Sequence, residues 1–252
     1  MVDQQRIWDE DAARRYDTPG EGMFAEEVLG PTVEVLAELA DGGRAVEFAI
    51  GTGRVAIPLA ATGVDVTGIE LSTAMIARLR EKADAEAIPV IEGDMARADA
   101  GRGFTLAYLV FNTISNLLTQ DEQVACFRNA ARHLAPGGRF VIELWVPQLR
   151  ALAPGHRGTV EVSDPGYLLV DTIDTLQQLL ISHHVRFDPD VTGSREAQIG
   201  RSPHRYIWPS ELDLMARLAG FELESRWAGW DRGAFTAEST SHVSVYRLVD
   251  PA

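Results

Sequence analysis

The apolar residues of the first 145 positions alternate between strand-like and helix-like spacing. Five short apolar runs of strand length begin at positions 44, 64, 89, 104 and 139. Most segments between them have apolar residues three or four positions apart, as in an amphipathic helix, and Ser72 is placed to cap one of these helices. Strands that alternate with helices predict an α/β fold with a doubly wound, mostly parallel sheet.

The pattern changes after about position 147. Apolar or alternating segments at 159–162, 167–172, 178–187 and 198–208 are separated by turn residues, with no helical segment between them. This pattern predicts an antiparallel meander. A helix is expected at 209–220, followed by strands at 221–228 and 241–248. We therefore expect a core formed by residues 1–146 and 209–252, with an inserted antiparallel unit at 147–208.

The first forty residues have helical spacing, interrupted at Thr18-Pro19-Gly20 and again at Gly30-Pro31. Proline lacks the backbone N–H and fits best in the first turn of a helix. We therefore expect an N-terminal helical cap in which a new helix starts at Pro31.

Composition and charge narrow the choice of partners. The chain has 252 residues, 46% of them hydrophobic, and a formal net charge of −14. This charge repels phosphate backbones, so we expect no nucleic-acid partner. The chain contains no apolar run of 18 residues and begins without the basic and apolar regions of a signal peptide. We expect a cytoplasmic monomer or homodimer with no membrane association.

Candidate chemistry lies at the ends of the predicted strands. Glu47 precedes a turn at 51–53 that opens a helix, and two glycines there permit tight turning and close approach of a ligand to the backbone. Glu70 ends the second strand, Asp94-Met95 follows the third, and Phe111-Asn112 ends the fourth. The carboxyl ends of parallel strands meet at one edge of a sheet, so these residues are expected to form one site.

These motifs resemble those of class I S-adenosylmethionine-dependent methyltransferases. Members of that family have an acid before a Gly-x-Gly-x-Gly turn, acids after strands two and three, and a Pro-Gly-Gly turn before strand five. This chain has Glu47, Ala49-Ile50-Gly51-Thr52-Gly53, Glu70, Asp94 and Pro136-Gly137-Gly138, with Ala49 in place of the first glycine. The resemblance extends over positions 44–145 by motif.

The resemblance implies a Rossmann-like, mostly parallel seven-stranded sheet that ends in a reversed hairpin, with the insertion acting as a lid over a small-molecule acceptor. It implies transfer of a methyl group from S-adenosylmethionine to a nitrogen or oxygen by in-line displacement, mainly through proximity and alignment. The cofactor-binding residues expected on this basis are Tyr16, Glu47, Ala49, Gly51, Thr52, Gly53, Glu70, Leu71, Asp94, Met95, Phe111 and Asn112.

Two alternatives remain open. The run Gly51-Thr52-Gly53-Arg54-Val55-Ala56 also fits a dinucleotide fingerprint, which would make the chain an NAD(P)-dependent oxidoreductase. A carboxylate at Glu47 would repel a pyrophosphate and favours the cationic sulfonium donor, and neither Asp94 nor the Pro-Gly-Gly turn has a required role in a dehydrogenase. The other alternative is a non-catalytic protein that only binds the cofactor.

The predicted lid supplies candidates for contact with the acceptor. His184 lies on one predicted strand, and His204 and Tyr206 share a face of another, so these three are the candidate catalytic residues. A hydroxyl acceptor needs a base, for which an imidazole is suited. His183 and His184 point to opposite faces and no second acid cluster follows at suitable spacing, so no metal site is expected.

Overall fold

A computed structural model describes residues 7–82, 87–187 and 197–249 of the chain. The first part contains α1 (Glu10–Tyr16), α2 (Glu26–Ala40), β1 (Arg44–Phe48), α3 (Ala56–Ala61), β2 (Asp65–Glu70), α4 (Thr73–Arg80), β3 (Val90–Glu92), β4 (Phe104–Leu109), α5 (Gln120–His133) and β5 (Leu134–Trp145). It is followed by β6 (Gly158–Asp164), β7 (Tyr167–Asp174), β8 (Leu179–Phe187), β9 (Ala197–Arg205), α6 (Pro209–Leu218), β10 (Phe221–Trp227) and β11 (Ser241–Leu248). Short 3₁₀ helices cover Gly22–Phe24, Thr113–Asn116 and Leu149–Ala151. In the described ranges no helix combines the length and apolar character needed to cross a membrane.

Seven strands form the main sheet in the order β10-β11-β5-β4-β1-β2-β3. The pairs from β5 to β3 are parallel, whereas β11 is antiparallel to both of its neighbours. The strand order reverses between β1 and β4, and open α/β sheets bind ligands outside the strand ends at such a point. The predicted α/β, doubly wound, mostly parallel fold with a reversed final hairpin is confirmed.

The insertion between β5 and α6 is a second, antiparallel sheet of four strands in the order β6-β7-β8-β9. We call these four strands the lid sheet. Its strand β9 packs against the 3₁₀ helix Thr113–Asn116, which follows β4. The lid sheet is thereby attached beside the carboxyl ends of the main strands.

Apolar side chains fill both faces of the main sheet. One cluster includes Phe127 of α5 and Phe140 of β5, and the other includes Leu36 of α2 and Leu59 of α3; these side chains are at most 1% exposed. Burial of such side chains stabilises the fold by about 1.5–3 kcal/mol each. The strand ends that carry the site are thus held from both faces.

Two local predictions were wrong. Pro31 does not start a new helix, because α2 runs without a break from Glu26 to Ala40. The missing N–H costs one hydrogen bond, but the helix keeps a continuous buried face that includes Val33 and Leu36. The Pro136-Gly137-Gly138 segment is an irregularity inside β5, which starts at Leu134, and not a turn before the strand.

Candidate active site

The carboxyl ends of the parallel strands open into one cavity of about 910 Å³. Ser182 and His184 of β8 and Ser202 and His204 of β9 line the same cavity from the lid sheet. The predicted site residues that line it are Tyr16, Ala49, Gly51, Glu70, Leu71, Asp94, Met95, Phe111, Asn112, His184 and His204. The cavity therefore brings together most of the residues that the sequence placed at strand ends and on the lid.

Glu70 ends β2 with its carboxylate held by the backbone. Its Oε2 accepts a hydrogen bond from the N–H of Gly51 at 2.8 Å, and its Oε1 accepts one from the N–H of Ser72 at 2.8 Å. Burial raises the pKa of the carboxyl, and these two donors oppose that shift. Each carboxylate oxygen can accept a further hydrogen bond, so Glu70 can bind a pair of hydroxyl groups in the cavity.

Glu47 lies behind the glycine turn and outside the cavity lining. It is 3% exposed, and its Oε2 accepts a hydrogen bond from the hydroxyl of Tyr108 at 2.9 Å. Burial raises the pKa of this carboxyl to about 8, so it is largely protonated near pH 7. The repulsion that the sequence argument assigned to an ionised Glu47 is therefore weaker than expected, because the sequence does not show the depth of its burial.

Some residues of the glycine turn line the cavity, and others hold the turn in its conformation. Ala49, Gly51 and Gly53 have positive φ angles of 55°, 58° and 79°. A Cβ built on Gly51 would meet no atom within 4 Å, whereas one on Gly53 would lie 3.0 Å from side chains of α3 and α4. Thr52 is buried, and its Oγ1 donates a hydrogen bond to Asp17 Oδ1 at 2.6 Å. Ala49 and Gly51 thus face the cavity, and Thr52 and Gly53 hold the turn in place.

The loop after β3 presents Asp94 and Met95 to the cavity. Asp94 Oδ1 accepts a hydrogen bond from the N–H of Ala96 at 2.8 Å, and the carbonyl of Met95 accepts one from Asn129 Nδ2 at 2.8 Å. These bonds fix a carboxylate beside an apolar side chain, a combination that suits an aromatic ring with an exocyclic amino group.

The end of β4 is held in an uncommon backbone conformation. Phe111 and Asn112 have positive φ angles of 53° and 62°. The N–H of Phe111 donates to Glu143 Oε2 at 2.7 Å, and Asn112 Oδ1 accepts from the N–H of Trp145 at 2.7 Å. Such conformations persist only where the surroundings enforce them, and they concentrate at functional sites. Here they leave the Phe111 side chain 41% exposed at the switch point.

The N-terminal segment closes one side of the cavity. Trp8 and Tyr16 both line it, and their rings meet edge to face at 5.9 Å. The segment is tied to the sheet by the hydroxyl of Ser72, which donates to the carbonyl of Trp8 at 2.5 Å. Burial raises the pKa of the Tyr16 phenol, which therefore stays protonated near neutral pH.

The lid sheet contributes two imidazoles. His184 Nδ1 is hydrogen-bonded to the hydroxyl of Tyr167 at 2.7 Å, and the His204 ring lies edge to face with that of Trp145 at 6.5 Å. Burial lowers the pKa of His184, with a further contribution from Arg186, and lowers that of His204 to about 4. Both imidazoles are therefore neutral near pH 7.

Tyr206 lies outside the cavity lining. It follows the last residue of β9, is 2% exposed, and packs edge to face with Trp208 at 6.4 Å. Side-chain alternation along the strand predicts that Tyr206 lies on the same face as His204, but its ring does not line the cavity. Among the described residues, no three or more histidine, cysteine or acidic side chains form a group that could hold a metal ion.

Several lining residues escaped the sequence analysis, among them Trp8, Glu122, Trp145, Ser182 and Ser202. Two kinds of signal were present. Trp145 ends β5, so the strand-end rule that selected Glu70 applied to it as well. Ser182 and Ser202 lie two positions from the predicted histidines, on the same face of each strand.

The charges of the lining residues distinguish between the two candidate cofactors. The described lining includes the carboxyl groups of Glu70, Asp94 and Glu122 and no lysine or arginine. Such a surface offers hydrogen-bond acceptors to ribose hydroxyls and an adenine amino group and attracts a cationic sulfonium. A dinucleotide pyrophosphate would find no cationic partner there. The residues present therefore fit S-adenosylmethionine.

Comparison with known proteins agrees with this geometry. Residues 45–138 match a family model described as a methyltransferase domain. The chain is similar to the CcbJ methyltransferase from Streptomyces caelestis, with 35% identity, a TM-score of 0.78, and coverage of 87% of this chain and 88% of that one.

Two curated relatives are also similar. One is the cypemycin N-terminal methyltransferase from a Streptomyces species, 24% identical over 95% of this chain and 96% of the relative. The other is a dTDP-4-amino-2,3,4,6-tetradeoxy-D-glucose N,N-dimethyltransferase from Saccharopolyspora spinosa, 35% identical over 58% of this chain and 59% of the relative. Nothing in these matches supports a nicotinamide enzyme. The chain belongs to the class I S-adenosylmethionine-dependent methyltransferases, and S-adenosylmethionine is its methyl donor.

Proposed function

We propose that this enzyme methylates a nitrogen atom of a small-molecule amine. The observation that carries the proposal is the single cavity that has carboxylates Glu70 and Asp94 on the sheet side and the neutral imidazoles of His184 and His204 on the lid side. Its volume of about 910 Å³ lies at the upper end of the range of about 300–1,000 Å³ for ligand sites. A donor and a small acceptor can be held in it together.

In this proposal the sheet side binds the donor. Glu70 accepts hydrogen bonds from the ribose hydroxyls, and Asp94 accepts one from the adenine amino group. Leu71 and Met95 pack on the apolar parts, and the open space beside Gly51 admits the ligand to the turn. Glu47, Thr52 and Gly53 support the turn from behind, and Ala49, Tyr16, Phe111 and Asn112 complete the wall.

The lid side favours nitrogen over oxygen as the acceptor atom. An alcohol or phenol needs a base that removes its proton, whereas a neutral amine already has a free lone pair. The imidazoles of His184 and His204 have lowered pKa values and are therefore weak bases. They are poorly suited to ionise a hydroxyl, but each can accept a hydrogen bond from an amine.

The chemistry then requires alignment more than acid–base strength. When bound, S-adenosylmethionine supplies an electrophilic methyl group. Phe111 and Trp145 exclude water at the switch point, and the lid histidines orient the acceptor. After transfer the nitrogen is a methylated ammonium that keeps its own proton, and it loses that proton to solvent once the product has left the cavity. Most of the rate enhancement comes from holding the reactants in line at contact distance.

The activities named for two relatives support a nitrogen acceptor. One relative methylates the N-terminus of cypemycin, and another dimethylates the amino group of a deoxysugar nucleotide. The two acceptors are otherwise different compounds. The amine is their common feature, and we extend only that feature to this enzyme.

The test has two steps. Calorimetric titration with S-adenosylmethionine and with NADH should show binding of the first only. A panel of primary and secondary amines, each paired with the corresponding alcohol, is then incubated with the donor and examined by mass spectrometry. We expect methylated amines and unchanged alcohols. Methylation of the alcohols would contradict the nitrogen assignment, and binding without any turnover would favour the non-catalytic alternative.

Other expectations from the sequence remain predictions. These are the contact of His184, His204 and Tyr206 with the acceptor, the boundaries of the lid at 147–208, a monomeric or homodimeric state, and a cytoplasmic location. Tyr206 is the weakest of the three acceptor-contact candidates, because it is buried beside Trp208 and away from the cavity lining.

A further inference from the structure

Asp171 of β7 is a buried carboxylate that the mechanism above does not use. It is 9% exposed, and its Oδ1 has no hydrogen-bond partner among the described residues. A buried charge without a full set of partners is costly. Such a group in a lid sheet therefore needs an explanation other than stability.

The register of the lid sheet places Asp171 on the face that looks into the cavity. Asp171 is paired with Ser182 of β8, and Ser182 is paired with Ser202 of β9. Residues directly opposite each other on antiparallel strands have their side chains on the same face. Ser182 and Ser202 line the cavity, so the three side chains form one polar row that starts at the cavity and ends at Asp171.

The hydrogen bond between Asp171 and Ser182 sets the direction of the serine hydroxyl. Burial raises the pKa of the Asp171 carboxyl, and the hydrogen bond with Ser182 opposes that shift. The ionised carboxylate can only accept hydrogen bonds, so in that state Ser182 donates its proton to Asp171. The lone pairs of Ser182 Oγ are then left for a partner in the cavity. The lid side therefore offers an oxygen that accepts a hydrogen bond and does not donate one.

The charged and titratable groups around this row do not neutralise Asp171. They are Glu161 on β6, His183, His184 and Arg186 on β8, and His204 on β9. No salt bridge to Asp171 occurs in the described part of the chain. Burial lowers the pKa of His184 and of His204, so both are neutral near pH 7, and the Arg186 guanidinium lies over the ring of Tyr167 at 5.3 Å.

We propose that Asp171 is a positioning residue that acts through Ser182 and makes the enzyme select acceptors whose reacting nitrogen carries an N–H. The inference rests on the proposed function. During transfer the nitrogen lone pair forms the new C–N bond, and the C–S bond breaks with its electron pair going to sulfur. The nitrogen becomes an ammonium and still holds its proton. That N–H donates to Ser182 Oγ, and the charge of Asp171 lies directly behind it.

The test uses the full chain in complex with S-adenosylhomocysteine and two probes that are uncharged near pH 7 and have the same shape, the aromatic amine N-methylaniline and the ether anisole. Only the amine can donate a hydrogen bond. One hydrogen bond of about 1 kcal/mol corresponds to about a fivefold difference in affinity. We expect calorimetry to show the wild-type enzyme binding the amine at least that much more tightly. In Asp171→Leu and Ser182→Ala the ratio should fall to near one.

A matched control and a stability measurement separate positioning from a structural role. Asp164→Leu makes the same change at an exposed carboxylate of β6 and should keep the wild-type ratio. Asp171→Leu removes an incompletely partnered buried charge, so its unfolding midpoint should be unchanged or raised, whereas a structural Asp171 would make it fall.

Two results would overturn the proposal. One is a wild-type enzyme that does not prefer the amine probe, including one that binds neither probe. The other is retention of the preference in both Asp171→Leu and Ser182→Ala. Failure of the proposed function would look different, because amine turnover would then be absent whatever the probes showed.

Discussion

The sheet side and the lid side of the cavity hold their polar groups in different ways. On the sheet side, Glu70 is fixed by the N–H groups of Gly51 and Ser72, and Asp94 is fixed by that of Ala96. On the lid side, His184 is held by the side chain of Tyr167, and Ser182 by that of Asp171. Backbone donors are set by the fold itself, but side-chain partners change with single substitutions.

This difference fits the two ligands. The donor is the same throughout the family, and a site built on backbone N–H groups suits a constant ligand. The acceptor differs between relatives, and a sheet whose polar face depends on side-chain pairs can be changed without rebuilding the core. If this comparison is correct, changes on one side should leave the other side's ligand unaffected.

The two sides are joined by Gln123, which is fully buried. Its amide donates to the carbonyls of Leu117 at 2.9 Å and Arg205 at 3.3 Å and accepts from Arg205 Nη1 at 2.6 Å. Arg205 also forms a salt bridge with Glu211 at 2.7 Å. The cavity wall after β4 and the end of β9 are thus connected through one side chain.

Replacing Gln123 should produce the largest effect. Gln123→Leu leaves buried carbonyls and part of the Arg205 guanidinium without a partner, which should lower the free energy of unfolding by about 2–4 kcal/mol. Chemical denaturation measures this change. Gln177→Leu, the same substitution at an exposed turn residue of the lid sheet, should have little effect.

The affinity of the Gln123→Leu variant for the donor tests whether the sheet side and the lid side are independent. In Gln123→Leu the dissociation constant for S-adenosylmethionine should change by less than about threefold, close to the scatter of about 0.5 kcal/mol between independent sites. A larger loss would show that the lid attachment also shapes the donor site.

Substitution of Glu70 tests the sheet side directly. Glu70→Ala removes charge-assisted hydrogen bonds worth about 1.5–3 kcal/mol, so the affinity for S-adenosylmethionine should fall by about 10- to 100-fold. Isothermal titration calorimetry gives the value. Glu92→Ala is the matched control, because Glu92 is exposed and lies opposite Glu70 in the register of β2 and β3. Unchanged affinity in Glu70→Ala would mean that Glu70 does not bind the donor.

The same contrast explains what the sequence could reveal. Glu70, Asp94 and Asn112 were found because alternating strands and helices place strand ends at one edge, and no tertiary information is needed for that step. The face of a single lid strand was also readable, which led to His184 and His204. Asp171 was missed because its relation to Ser182 depends on the pairing of two strands.

Burial depth was the other missing quantity. Glu47 was expected beside the ligand because it precedes the glycine turn, but its side chain points toward Tyr108 in the interior. The alternation of side chains along β1 shows which face of the sheet a residue lies on. It does not show whether a carboxyl on that face reaches the cavity or is buried in the core. The lining of Glu70, Asp94 and Glu122 supports the cationic donor instead.

The buried Glu47 should make the free energy of unfolding depend on pH. Burial raises its pKa from an ordinary value of 4.5 to about 8, so the folded state binds this proton more tightly than the unfolded state. Its stabilising contribution is complete below the unfolded pKa and is lost as the pH rises toward 8. Glu47→Gln mimics the protonated form, so its stability relative to wild type should rise between pH 5 and 8, by about 3 kcal/mol.

Parallel denaturation curves at several pH values measure this difference, and titrations common to both proteins cancel. Glu222→Gln, at an exposed position of β10, should follow the wild-type curve at every pH. A constant difference between Glu47→Gln and wild type would mean that Glu47 is ionised in the folded state, and the charge argument from the sequence would then stand.

The smallest effect is expected at Ala49, the departure from the family's glycine motif. Its φ angle of 55° costs an alanine about 1–2 kcal/mol, and glycine would relieve that strain but lose about 0.4–1 kcal/mol through the unfolded state. Ala49→Gly should therefore change stability by no more than about 1 kcal/mol and leave donor affinity unchanged.

Gly51→Ala introduces the opposite change at a φ of 58°, where the added methyl points into open space beside the donor. Weaker donor binding in Gly51→Ala alone would show that the turn tolerates strain at its entrance but needs an uncovered backbone where the ligand lies.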